Sequence, residues 1–189
     1  MRCISRISFG LLLPLLLLSS CCGYRFGDGG YASRYQTISV PFVQGDWDGD
    51  FTVALVDEIA RSGAFQYERD GGAVILLVKI LDICDENIGF RYYRNKEGEL
   101  KKDIIPTETR ITAQAEVSLV EAASGSTLLG PARLSASVEF DHDFYASRHA
   151  SNIFSLGQLV DYDAAYDAVY RPLNRALAHK IVDFVNDSW

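Results

Sequence analysis

From Thr109 to Leu119 the chain alternates without a break. Ile111, Ala113, Ala115, Val117 and Leu119 fall on one side; Arg110, Thr112, Gln114, Glu116 and Ser118 fall on the other. Successive side chains of a strand point to opposite faces, so such a stretch forms a strand with one dry face and one wet face. A second alternation follows a Gly/Ser turn near Ser124–Ser126. Here Leu134, Ala136, Val138 and Phe140 are set against Arg133, Ser135, Ser137 and Glu139. Two strands of this kind in succession predict an antiparallel hairpin that needs cover on one face only.

Two helical stripes can supply that cover. Between Asp50 and Ser62, Phe51, Leu55 and Ile59 recur every four residues, Ala54 and Val56 widen the stripe, and Gly63 closes it. Near the C-terminus Tyr166, Tyr170, Leu173, Leu177, Ile181 and Phe184 step by four and three. Pro172 interrupts this second stripe, which predicts either a kink there or a main helix starting at Arg171 with proline in its first turn. Gln36 to Val43 places Ile38, Val40 and Phe42 on one face and reads as a strand that Pro41 keeps at an edge or ends. Ala73 to Asp82 is short and apolar on both faces, the pattern of a central parallel strand buried on both sides. The expected fold is therefore an α/β (α+β) two-layer sandwich, a four-stranded mixed sheet with two helices on one face. His142 to Asp161 shows no period and receives no assignment.

The N-terminus bears on location. Arg2 and Arg6 precede an apolar run from Ile7 to Leu18, about 12 residues where a bilayer-spanning helix needs roughly 20. A basic start, a short apolar stretch and small residues before a cut mark a secretory signal. Leu18-Ser19-Ser20-Cys21 resembles a bacterial lipobox, which makes Cys21 the expected lipid acceptor and Cys22 the alternative. Acyl chains such as palmitate on that cysteine would tether the rest of the chain to a membrane. The expected organisation is a signal peptide over 1–20, a lipidated flexible leader over 21–34, and one domain over 35–189. Once the signal leaves with Arg2 and Arg6, the 18 basic residues fall to 16 against 25 acidic ones, a net charge of −9. That balance gives no general attraction to nucleic acid. Cys22 and Cys84 could pair in an oxidising compartment, and the sequence leaves this open.

Candidate chemistry is sparse. Asp46, Asp48, Asp50 and Asp57 have spacings reminiscent of a calcium loop, but the glycine is misplaced and no closing Glu follows. Carboxylates clustered before a helix are also what an N-terminus favours. Asp141, His142, Asp143 and His149 lack a third properly spaced metal ligand and read as solvated loop residues, and His179 reads as a surface residue. There is no Gly-x-Ser-x-Gly, no paired Cys and His, and no phosphate or dinucleotide loop, so the chain is expected to be neither an enzyme nor a metal or cofactor carrier. One cluster stands out in so acidic a chain: Arg91, Arg94, Lys96, Lys101 and Lys102, with Tyr92 and Tyr93 among them. Read as a polar connection with Gly98 near its tip, it is either a solvated turn or a contact for anionic groups such as lipid phosphates.

Cys22-Gly23-Tyr24-Arg25-Phe26 after a lipoprotein signal, followed by Ile38-Ser39-Val40-Pro41-Phe42, resembles the start of LptE-type lipopolysaccharide-assembly lipoproteins. The order of helix, buried strand, antiparallel strands and long C-terminal helix is similar across the rest. This resemblance implies an outer-membrane lipoprotein facing the periplasm, held by N-terminal acyl chains. Its implied partners are a large LptD-type β-barrel translocon, whose assembly it assists, and lipopolysaccharide on its way to the outer leaflet. The family places its acylated cysteine directly before Gly-Tyr, which would be Cys22, whereas the lipobox favours Cys21. A generic lipid-anchored periplasmic scaffold or assembly factor, unrelated to lipopolysaccharide, is the alternative.

Overall fold

The alternating stretch is the middle of a much longer strand. The structure, a computed structural model, describes residues 30–94, 99–142 and 162–188. In chain order it contains α1 (Tyr31–Arg34), β1 (Thr37–Ser39), α2 (Asp50–Ser62), β2 (Gln66–Tyr67), β3 (Val74–Arg94), β4 (Leu100–Glu121), β5 (Thr127–Asp141) and α3 (Tyr162–Asn186). The sheet runs β2-β1-β3-β4-β5. β1 is parallel to β2 and β3, while β3/β4 and β4/β5 are antiparallel. The mixed two-layer architecture is as expected. It has one strand more than the sequence suggests, because β2 is a two-residue edge too short to leave a pattern.

Burial explains which face is covered. Val74, Leu76 and Val78 of β3, Ile111 to Leu119 at every second residue of β4, and Ala136 of β5 are buried together. Over them lie Phe51, Leu55 and Ile59 of α2 and Leu173, Leu177, Ala178, Ile181, Val182 and Val185 of α3. Each large aliphatic side chain taken fully out of water contributes about 1.5–3 kcal/mol, so this stripe-on-sheet contact is the main source of stability. The two helices also contact each other, with α3 lying over β4 and β5.

Three expectations change in detail. The pattern of Ala73–Asp82 suggests burial on both sides, but only the helix side is covered. Leu77 on the other face is 45% exposed, beside Pro41 and Phe42 of the β1–α2 connection. β1 stops at Ser39, two residues before Pro41, which has no amide to donate; pairing resumes only in an isolated bridge between Gln44 and Lys79. α3 does not begin at Arg171. It runs from Tyr162 to Asn186 with Pro172 inside it, which leaves the kink of the two expected readings, and the fully buried Leu173 holds the helix to the core.

A bulge divides β3. Ile80 pairs with Ala115 and Asp82 with Gln114, leaving Leu81 as an extra residue. Before it the even residues Val74, Leu76 and Val78 face the helices; beyond it Ile83, Asp85 and Asn87 do, opposite Ala113, Ile111 and Thr109. At the other end of the sheet the first and last described residues meet. A Cβ on Gly30 would stand 2.9 Å from the carbonyl oxygens of Asn186 and Ser188, so only glycine lets the backbone pass there. Tyr31 and Ala32, within the stretch read as leader, belong to α1. Ala32 is buried, and the Tyr31 hydroxyl donates to the Leu128 carbonyl at 2.5 Å.

Candidate functional site: the far end of the long hairpin

The acidic cluster before α2 is structural. The Asp46 carboxylate is buried and accepts hydrogen bonds from the Thr52 amide at 2.7 Å, the Thr52 hydroxyl at 2.6 Å and the Gly49 amide at 3.2 Å. Burial alone would raise its pKa, but the Thr52 donors outweigh that and hold it below the usual carboxylate range. Asp48 accepts from the Asp50 amide at 3.2 Å, so two carboxylates satisfy amides of the first helical turn. The loop they stiffen displays Trp47, which is 97% exposed.

The cations lie on strands rather than on a connection. Arg91 pairs across from Ile105 and Arg94 from Leu100, and Lys101 and Lys102 open β4; Lys96 is outside the described residues, as are Cys21, Cys22, Asp143 and His149. The expected polar connection is therefore much shorter, because β3 and β4 continue far beyond the part of the sheet that β1 pairs with.

The structure adds an apolar component that the sequence reading misses. Phe90 stands across from Pro106 and Tyr92 across from Ile104. Ile105 and Thr109 on β4 point to the covered side and are buried, so Ile104 and Pro106 point to the open side. Phe90, Tyr92 and Ile104 are 57%, 65% and 58% exposed. Directly opposed cross-strand side chains touch, which makes these four residues a continuous apolar surface on the strands that carry the cations. The signal is present as a weak alternation of Phe90 with Tyr92 and of Ile104 with Pro106, hidden by the charges between them.

The covered side of this end is polar and cross-linked by hydrogen bonds. Thr109 is fully buried; its hydroxyl donates to Asn87 Oδ1 at 2.9 Å and lies 2.9 Å from His142 Nε2. With that hydroxyl proton directed at Asn87, His142 Nε2 is the donor to Thr109. His142, expected in solvent, is buried against the Phe140 ring, and its backbone amide donates to the Thr107 carbonyl. Nearby, burial and a hydrogen bond donated to Tyr166 push the Tyr170 hydroxyl up to about 12. His179 is on the surface, as expected, 3.0 Å from Glu58. Cys84 is exposed on the open face of β3.

This end can therefore take up an amphiphile: apolar groups against Phe90, Tyr92 and Ile104, and anionic groups near the cationic strand ends. Comparison with known proteins bears on what that amphiphile is. The family model described as "LptE: Lipopolysaccharide-assembly" matches residues 35–185. No curated protein sequence matches the chain. Among solved structures, a minor lipoprotein from Acinetobacter baumannii is 14% identical, covering 80% of this chain and 91% of that one at a TM-score of 0.44. A putative lipoprotein from Caulobacter crescentus is 13% identical, covering 84% and 89% at 0.46. Rare lipoprotein B from Shewanella oneidensis is 11% identical, covering 79% and 89% at 0.37. These likenesses fall below a TM-score of 0.5 and add nothing to the family match.

Proposed function

The chain belongs to the LptE lipopolysaccharide-assembly family, and from that premise we propose that it is an outer-membrane lipoprotein that works on a large β-barrel partner. Acylated at Cys21, or at Cys22 in the alternative, it faces the periplasm as one domain behind a lipidated leader. It assists assembly of an LptD-type translocon and the delivery of lipopolysaccharide to the outer leaflet, and it performs no catalysis. Beyond family membership, the observation supporting this is the far end of the β3–β4 hairpin. Exposed Phe90, Tyr92 and Ile104 share strands with Arg91, Arg94, Lys101 and Lys102, a pairing that suits an acylated, phosphorylated lipid.

Crosslinking in intact outer membranes followed by pull-down tests the partner. The expected product is a stable complex with one large barrel protein. Recovery of the chain without any barrel protein would replace this reading with the generic lipid-anchored scaffold. Mass spectrometry of the mature N-terminal peptide tests the anchor: a lipid on Cys21 followed by unmodified Cys22 is expected, and a lipid on Cys22 with Cys21 removed moves the assignment by one residue.

A further inference from the structure

The most exposed large apolar side chain among the described residues is Trp47, on the connection between β1 and α2. The loop that carries it is pinned at several points. The Thr52 hydroxyl donates to Asp46 at 2.6 Å and accepts from the Val43 amide at 3.2 Å, and the Asp46 amide donates to the Val43 carbonyl at 3.2 Å. Gly45, at a φ of 88°, passes β3 so closely that a Cβ would stand 3.2 Å from the Ile80 carbonyl oxygen. The Phe42 ring, 63% exposed, lies beside Gly49, where a Cβ would stand 3.4 Å from it. A side chain held in place before it binds loses little freedom on binding, and an indole has only two torsions to fix.

The loop runs from one cleft to another. Phe42, Gln44 and Leu77 line the first, of about 240 Å³; Asp50, Val53 and Arg171 line the second, of about 220 Å³. Both are smaller than the roughly 300–1,000 Å³ of a small-molecule site, so they suit side chains of an opposing surface rather than a free ligand. Charge narrows what that surface is. From Gln36 to Ala60 the chain carries five carboxylates and no lysine or arginine. Asp48 and Asp50 are exposed beside Trp47, and cations enter only from outside this stretch, Lys79 in the first cleft and Arg61, Arg171 and Arg175 in the second. A bilayer surface carrying anionic lipids repels such a tip. A second copy about a two-fold axis through it sets Asp48 and Asp50 against their own counterparts. What fits is a protein surface with an apolar pocket for the indole and lysine or arginine around it, an aromatic anchor inside a polar rim. We propose that Trp47 anchors the chain to a partner protein of that chemistry, with the partner's cations against Asp48 and Asp50.

This inference goes beyond the assembly role and does not depend on it. The test places a photocrosslinking residue, p-benzoylphenylalanine, at position 47 of the full chain in its native membranes. Illumination should give one adduct with a different polypeptide, and peptide mass spectrometry should map it to an apolar stretch flanked by lysine or arginine. The same probe at Asp70, exposed between β2 and β3, should not give that adduct. Adduct yield should fall as salt rises and in Asp48→Asn/Asp50→Asn, which keeps the side-chain acceptor for the Asp50 amide and so the start of α2. Charge reversal in Asp48→Lys/Asp50→Lys should cut it roughly tenfold or more, with the melting midpoint of each variant measured alongside. Against the partner so identified, Trp47→Ala should weaken binding roughly tenfold or more and Trp47→Phe by less. An adduct only with a second copy of this chain or only with lipid would overturn the proposal, as would no adduct at all. So would a partner peptide without basic neighbours, or a yield that neither the Asn nor the Lys changes alter.

Discussion

The two halves of β3 belong to the same strand and live in different surroundings. From Val74 to Ile80 it has a neighbour on each side and two helices on one face. From Leu81 to Asn87 it keeps one described neighbour strand, and every residue is exposed. The contrast separates core from surface: the first half contributes to the core, and the second half turns its side chains to water. Functional surface is drawn from parts whose removal costs folding little.

The largest effect expected from that contrast is in the core. Leu177→Ala removes a side chain that is 1% exposed in the core that the first half shares and should destabilise the protein by about 2–5 kcal/mol in urea titrations. Ile104→Ser on β4, across from Tyr92 beyond the second half, should stay within about 0.5 kcal/mol of the parent. Equal costs for the two would erase the distinction.

Next comes the loop that starts α2. Asp46→Ala strips the carboxylate from three donors and should cost about 1–2 kcal/mol. Because the folded carboxyl lies below its ordinary value of 3.8, its contribution is complete above that pH and disappears as pH falls through the lower folded value. Acid titration of stability should show a steeper decline for the parent than for Asp46→Asn.

Tyr170 senses the second half through Asp85, one of the charges acting on it. Its hydroxyl ionises at about 12 when folded, against 10.0 ordinarily, so its contribution holds below pH 10 and falls away as pH rises toward 12. Phenolate absorbance should show a late-titrating tyrosine that Tyr170→Phe removes.

The smallest change in folding, and the largest in binding, should come from Arg91, Arg94, Lys101 and Lys102 all changed to Ser. Exposed charge pairs are worth about 0–1 kcal/mol, so the melting midpoint should barely move. Affinity for lipid A should fall, and parent binding should weaken as salt rises. Equal affinity of parent and variant at low salt would leave these residues as plain solvated strand ends.

How much of this is legible in the sequence follows the same division. α2 can be placed to the residue because Asp50 and Gly63 punctuate a full stripe, and α3 can be recognised because Leu173, Leu177 and Ile181 are wholly buried. Burial imprints periodicity; its absence leaves none. The segment from Cys84 to Tyr92 meets water on most sides, so nothing forces an apolar alternation, and its continuation of β3 is invisible. The Leu81 bulge adds to this by reversing parity midway, so no single alternation spans the strand. His142 is misread as a solvated residue because its burial depends on Thr109, a contact 33 residues away that no local pattern records.

The meeting of Gly30 with Asn186 and Ser188 has a mechanical corollary. β3 takes 20 steps from Val74 to Arg94, and at about 3.3 Å per step its far end stands at most roughly 65 Å from its near end, less what its bulges take up. The chain therefore enters and leaves the described fold at one end, and the hairpin extends away from both points.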